Sequence, residues 1–155
     1  MLHSLPRTLT ITPVIFSVIA TLLCLLPNNV SSAASESTPI VITHPSVGVE
    51  KLSRSTLRSI FTVRLTRWQD GMPIRVFVLP DNHPSHQQFS KKNLGVFPYR
   101  LRQIWDRMVF SGIGKAPMEV VDQAAMQKEV ARTPGAIGYI ADGSGSSGVN
   151  YVVVE

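Results

Sequence analysis

Short apolar runs rich in β-branched residues alternate with amphipathic helical patterns through the second part of the chain. Strands are predicted at residues 39–43, 74–79, 118–121, 136–140 and 151–154. Helices are predicted to begin at Ser53, Ser85, Pro98 and Asp122, which are good capping or first-turn residues. Because strands connected through helices are normally parallel, the sequence predicts an α/β fold with a mainly parallel sheet of about five strands and helices on both faces.

The first 34 residues are predicted to be a secretory signal peptide rather than part of the fold. Arg7 supplies a basic start, residues 9–26 are almost entirely apolar, and Ser32-Ala33-Ala34 provides the small residues that signal peptidase accepts. An uncleaved membrane anchor is the alternative, although a run of about 18 residues is at the short end for a span. We expect one exported domain, residues 35–155, that meets a membrane only if the signal is retained.

Charge and cysteine content exclude several classes of function. The chain carries 15 basic and 10 acidic residues, a net charge of +5, but the charges are interspersed and do not cluster with aromatic residues. Nucleic acid binding is therefore not expected. The single cysteine, Cys24, lies in the predicted signal, so the domain is expected to fold without disulfides. An exported protein of this kind suits the periplasm of a Gram-negative cell as readily as the outside, and the periplasm is the expected location.

The stretch from residue 74 to residue 89 is the best candidate for a ligand site. An apolar strand reaches Pro80, and short polar residues then lead to a helix whose predicted start is a Ser-x-x-Gln capping box formed by Ser85 and Gln88. Ligands collect at the carboxyl ends of strands in open α/β sheets, and helix N-termini favour anions. The candidate anion-binding residues are Asp81, Asn82, His83, Ser85, His86 and Ser46. Ser46 follows the first strand and is expected to face the same end of the sheet.

Other interpretations of the same turn are open. In the simplest, Ser85 only caps the helix and both histidines are solvated, whereas a histidine that assists an anion would be protonated. Asp81, His83 and His86 have a spacing that metal ligands adopt, but a structural site normally closes with four ligands, so no metal is expected. A Ser/His/Asp hydrolase would need a nucleophile elbow and an oxyanion loop, which the sequence lacks. We expect neither an enzyme nor a cofactor.

Two stretches resemble a known family. Residues 52–68 read Leu-Ser-Arg-Ser-Thr-Leu-Arg-Ser-Ile-Phe-Thr-Val-Arg-Leu-Thr-Arg-Trp, and residues 133–140 read Thr-Pro-Gly-Ala-Ile-Gly-Tyr-Ile. Both are similar to segments of the phosphate-binding proteins that serve ABC importers, in the same order and at approximately the same spacing. The resemblance implies a single lobe of a type II periplasmic-binding-protein fold. In that family the turn after the strand at 74–79 carries Asp-Gly-Ser-Gly-Thr, whereas residues 81–86 here read Asp-Asn-His-Pro-Ser-His.

Two functions follow as expectations. The resemblance implies an exported solute-binding domain for phosphate or a related small oxyanion, in connection with ABC-type phosphate transport. The alternative is an envelope interaction protein that has lost solute binding and docks on its partner through the surface around Trp68 and Trp105. Its protein partner would then be an importer subunit or another envelope component.

Overall fold

A computed structural model describes residues 38–112, 114–142 and 147–155. The predicted signal at residues 1–34 and the first residues of the predicted domain lie outside the described residues. The elements in chain order are β1 (Ile40–Thr43), β2 (Lys51–Leu52), α1 (Arg54–Phe61), β3 (Arg75–Val78), α2 (Pro84–Gln88), a π-helical segment (Phe89–Leu94), α3 (Pro98–Phe110), β4 (Met118–Glu119), α4 (Gln123–Arg132), β5 (Ala136–Ile140) and β6 (Asn150–Val154). Among the described residues, no helix has the length and apolar character needed to span a membrane.

The strands form one mixed sheet in the order β2-β6-β1-β5-β3-β4. β3 is parallel to both β4 and β5, and β2 is parallel to β6. β1 runs the other way and is antiparallel to both of its neighbours, β5 and β6. Because the remaining strands share one direction, the predicted α/β fold with a mainly parallel sheet is confirmed, with six strands rather than about five.

Helices cover both faces of the sheet, as predicted. On one face the Tyr139 ring of β5 lies against Phe61 of α1 and Phe89 of the π-helical segment, with centroids 6.0 and 3.9 Å away. Successive side chains of a strand point to opposite faces, so the neighbouring Gly138 belongs to the other face. There its missing side chain lets Met126 and Val130 of α4 pack directly over the strand.

Three predicted helix starts are confirmed by their first-turn geometry. Ser53 Oγ accepts the Thr56 N–H at 3.1 Å and caps α1. Asp122 Oδ1 accepts the Ala125 N–H at 2.7 Å and caps α4. α3 begins at Pro98, where a missing N–H costs nothing because the first amides of a helix have no partner within the helix.

The predicted start of α2 is wrong. Its N-cap is His83, whose Nδ1 accepts the Ser85 N–H at 3.2 Å. Pro84 takes the first helical position because its fixed φ suits that position, and this moves the cap to the residue before it. The capping box of Ser85 and Gln88 therefore does not form, and Ser85 is buried in the first turn.

Two short elements were not predicted. β2 is a pair of residues, Lys51–Leu52, aligned with Val153 and Val154 of β6, which is too short for a periodic signal. The π-helical segment Phe89–Leu94 continues α2 and ends at Gly95, which has a φ of +64°.

Candidate functional site

The carboxyl ends of β3, β4 and β5 lie together at one end of the sheet. The polar side chains there form a group that we call the β3 edge, and they are Asp81, Ser85, Arg102, Glu119 and Gln123. Asp81 and Ser85 follow β3, and Glu119 ends β4 in register with Val78, the last residue of β3. Arg102 reaches the edge from α3, and Gln123 begins α4. This is the end of an α/β sheet at which ligands bind.

Arg102 lies between two carboxylates. Its Nε and Nη2 donate to the two carboxylate oxygens of Asp81 at 3.0 and 2.9 Å, and Nη2 also donates to Glu119 Oε2 at 3.1 Å. Hydrogen bonding to Asp81, and then to Glu119, raises the pKa of Arg102 against the opposing effect of burial. The guanidinium carbon lies 5.1 Å from the centroid of the Trp105 ring. With one cation for two carboxylates, this cluster carries a net negative charge.

His86 belongs to a buried chain of hydrogen bonds. Its Nδ1 lies 2.5 Å from the Tyr139 hydroxyl, which accepts the Leu79 N–H at 2.9 Å. The hydroxyl can then donate to Nδ1, which leaves the proton of the neutral imidazole on Nε2, 3.6 Å from Asp81 Oδ1. Burial lowers the pKa of His86 while Asp81 opposes the shift, and burial raises the pKa of Tyr139. At neutral pH His86 is therefore an uncharged core residue. This contradicts both interpretations of the turn for His86, because one assumed a solvated histidine and the other a protonated one.

Ser85 is held by Gln123. The Ser85 hydroxyl accepts from Gln123 Nε2 at 3.2 Å, and Gln123 Oε1 accepts the Ala141 N–H at 2.6 Å. Ala141 is the residue after β5. The single amide group of Gln123 thus connects the first turn of α2 to the end of β5.

The turn before α2 offers an anion fewer donors than its sequence suggests. Pro84 has no N–H, and the Ser85 N–H is bonded to the His83 ring. Asn82 is exposed at the surface of the turn. The charged donor at this edge is Arg102, whose side chain is 38% exposed.

Sequence reasoning did not identify Arg102, Glu119 or Gln123. Glu119 and Gln123 flank the end of a predicted strand, so the rule that ligands gather where parallel strands end indicates both positions. Arg102 gives no comparable signal, because it is one of several cations on the polar face of a predicted helix.

Ser46 lies at the opposite end of the strands from the β3 edge, so the prediction that it lies beside the other candidate residues is wrong. The cause is the reversed direction of β1, which brings its exit turn to the beginning of β5. There the Ser46 hydroxyl lies 2.7 Å from His44 Nδ1 and accepts the Gly135 N–H at 3.4 Å.

An open groove of about 460 Å³ borders the β3 edge. It is lined by Asp81, Asn82, Gln87, Lys91, Phe97, Pro98 and Tyr99. Phe97 and Tyr99 are 56% and 57% exposed, and their stacked rings have centroids 6.0 Å apart. Lys91 Nζ lies 5.9 Å from the centre of the Phe97 ring, and the Arg100 guanidinium carbon lies 5.6 Å from that of Tyr99. The groove therefore joins exposed aromatic surface to positive charge.

A family model described as a PBP superfamily domain matches residues 38–151. The chain belongs to this family. The match contains β1 to β5, the helices between them and the start of β6, so every residue of the β3 edge lies within it. No match was found among curated proteins.

Solved structures that share this fold include three bacterial proteins. One, described as a phosphate ABC transporter substrate-binding protein from Clostridium perfringens with bound phosphate, is 20% identical, has a TM-score of 0.60, and matches over 76% of this chain and 45% of its own. An ABC-type phosphate transport receptor from Vibrio cholerae is 16% identical (TM-score 0.58, 76% and 46%). PstS from Borrelia burgdorferi is 18% identical (TM-score 0.54, 77% and 47%). The likeness is one of fold, and the chain spans less than half the length of these proteins.

The two stretches that resemble phosphate-binding proteins touch each other in this PBP-superfamily domain. Trp68 Nε1 donates to the Gly135 carbonyl at 3.0 Å, and the Arg75 N–H donates to the same oxygen at 3.1 Å. Trp68 and Trp105 are 8% and 1% exposed, and the Trp105 indole donates to the Phe61 carbonyl at 2.7 Å. The prediction of a docking surface around these two tryptophans is therefore wrong, because both indoles are buried in the core.

Proposed function

We propose that this PBP-superfamily domain is an exported binding domain that takes a protonated oxyanion, with phosphate as the first candidate, at the β3 edge. The observation that carries the proposal is the half-exposed Arg102 between Asp81 and Glu119 at the carboxyl end of β3. The fold shared with phosphate-binding proteins supports it, and so does the signal-like composition of residues 1–34.

The charges at the β3 edge favour an anion that carries a proton. Arginine can donate two parallel hydrogen bonds to an oxyanion, so a bound ligand would replace part of the pairing between Arg102 and its carboxylates. Asp81 and Glu119 can then accept a hydrogen bond from a P–OH group. Sulfate has no proton to donate at neutral pH and would meet both carboxylates as like charges. Phosphate should therefore bind more tightly than sulfate.

Affinity at this edge is expected to be low. Arg102 and Glu119 have side chains 38% and 50% exposed, so a ligand here stays in contact with water. Pockets that bind small molecules tightly usually surround most of the ligand surface. A dissociation constant on the order of 1 mM is consistent with a few charge-assisted bonds at an open site.

The test uses the full chain expressed in a Gram-negative host and purified from the periplasm. The intact mass of the product reports whether cleavage follows Ala34. Calorimetric titrations with phosphate and sulfate then compare wild type with Arg102→Gln, and Arg107→Gln, an exposed position on the same helix, is the matched control. We expect Arg102→Gln to weaken phosphate binding about tenfold or more, with Arg107→Gln close to wild type. Absence of phosphate binding at millimolar concentration, or equal binding by Arg102→Gln, would overturn the proposal.

A second candidate function, docking on an envelope protein such as a membrane subunit of an importer, is favoured by the exposed pair Phe97 and Tyr99. Stacked aromatic side chains flanked by cations are typical of protein contact surfaces. Crosslinking in intact envelopes should capture the same partner with wild type and with Phe110→Ser, which removes a 90% exposed ring at the far end of α3. Capture should fall in the Phe97→Ser/Tyr99→Ser double variant. Equal capture by the double variant would exclude this surface.

A further inference from the structure

A small pocket lies at the opposite end of β3 from the β3 edge. It has a volume of about 120 Å³ and opens between the end of α1, the beginning of β3 and the segment that leads into β4. Ile60, Val63, Leu65 and Met118 form apolar walls, while Arg75 and Lys115 line it with positive charge. It shares no lining residue with the β3 edge.

One wall residue, Val63, has a backbone conformation that valine rarely adopts. α1 ends in a Schellman motif, in which the Val63 N–H donates to the Ile60 carbonyl and the Arg64 N–H donates to the Ser59 carbonyl, both at 2.9 Å. The residue at this position must be left-handed, and Val63 has a φ of +60°. Glycine is the usual residue here, and a β-branched residue is a genuine outlier. Strained residues of this kind cluster at binding sites.

The surroundings of Val63 keep its side chain at the pocket. Gly114 stands beside Val63 Cγ1, close enough that a side chain at 114 would press against it. Val63 is half-buried and packs against the core. The domain therefore keeps a valine where glycine would relax the backbone, and that valine forms part of the pocket wall.

The charge at the pocket has one sign. Arg75 and Lys115 are exposed, and neither forms an ion pair within the described part of the chain. The described lining contains no aspartate or glutamate. A ligand with an apolar group and a negatively charged end would place its apolar group in the pocket and its charge beside the two cations.

We propose that this pocket binds a branched aliphatic group that carries a carboxylate. Its 120 Å³ is a little less than the ~150 Å³ of an apolar cavity that holds benzene, which leaves room for an isobutyl or isopropyl group. That chemistry occurs in branched short-chain fatty acids and in the C-terminal leucine or valine of a peptide.

The proposal is tested by titrating ¹⁵N-labelled protein, prepared as above, with 4-methylpentanoate and with N-acetyl-leucine. The neutral 4-methylpentanamide is the control ligand. We expect at least one carboxylate to shift amide signals around Val63, Arg75 and Lys115, and to bind about tenfold more tightly than the amide. The acid that binds better identifies the source, fatty acid or peptide terminus. Absence of shifts with both acids, or equal binding of acid and amide, would overturn the proposal.

Two variants distinguish an effect on ligand binding at the pocket from an effect on the stability of the domain. Val63→Gly should keep or raise the melting temperature, because glycine relaxes the backbone, and should weaken binding at least about fivefold, because a wall is lost. Arg75→Gln/Lys115→Gln should abolish the preference for acid over amide, while Lys128→Gln, on the exposed side of α4, should retain it. Wild-type binding by Val63→Gly, or a preserved preference in the double variant, would count against the site.

Discussion

Replacing Gly135 with alanine should destabilise the domain much more than the same change at Gly71. Both glycines have positive φ values, +77° and +85°, so alanine at either position would be held in the left-handed region. That conformation costs about 1 kcal/mol. Apart from its chain neighbours, no heavy atom lies within 4 Å of the place that a methyl group at Gly71 would occupy. A methyl group at Gly135 would overlap the Pro73 carbonyl oxygen and press on Met72.

The steric part of this difference can be estimated. Overpacking a well-packed site costs about 1–3 kcal/mol, which gives a total of about 2–4 kcal/mol for Gly135→Ala against about 1 kcal/mol for Gly71→Ala. For a domain of this size, 1 kcal/mol corresponds to roughly 4 °C in melting temperature. The Gly135 variant should therefore melt about 8–16 °C below wild type, and the Gly71 variant about 4 °C below.

Urea unfolding followed by tryptophan fluorescence measures both variants. Both tryptophans are buried, and Trp68 is bonded to the Gly135 carbonyl, so their emission reports loss of the core at the mutated site. Gly71→Ala serves as the control for the conformational term alone. If the two variants lose the same free energy of unfolding, the backbone at Pro73 moves aside without an energetic cost, and the predicted steric effect at Gly135 is refuted.

Two further predictions concern the buried network at Tyr139. Because burial holds the folded-state pKa of His86 below its ordinary 6.5, the unfolded chain binds the proton first, and the free energy of unfolding should fall as pH drops below about 6.5 by at most about 1.4 kcal/mol per unit. Urea unfolding across this range should show a smaller slope for His86→Gln, and an identical slope would contradict the assignment. Tyr139→Phe leaves the buried Leu79 N–H without its acceptor and should cost about 1–3 kcal/mol in urea unfolding. Tyr99→Phe, at an exposed ring, is its control and should stay within about 0.5 kcal/mol; similar losses in both would argue against the hydrogen bond.

The fold was predictable because its signals are local. Ser53 and Asp122 cap their helices through bonds to residues three positions ahead, and the short apolar run at 136–140 is a strand with the predicted bounds. The direction of β1 was not predictable, since it depends on pairing with β5 nearly 100 residues later in the chain. The misplacement of Ser46 follows from that one reversal.

The sequence indicates where a candidate site would lie, but not which side chains meet there. Its place after β3 follows from a general rule about α/β sheets. The pairing of Arg102 with Asp81 joins residues on different elements, and no periodic pattern encodes it. The burial of His86 depends on Tyr139, 53 residues away in the sequence. The sequence alone does not show which polar residues of a turn face the core, because tertiary contacts determine their burial.

The reversed direction of β1 also fixes where the domain can be joined to other polypeptides. β1 starts at Ile40 opposite Ile140, the last residue of β5, and β6 ends at Val154 pointing the same way as β5. Neighbouring strands are about 4.8 Å apart, so Ile40 lies roughly 10 Å across the sheet from the end of β3. Polypeptide attached before β1 or after β6 therefore departs from the edge proposed to bind the oxyanion. A tether, a fused tag or a second domain needs only a short linker to cover that edge.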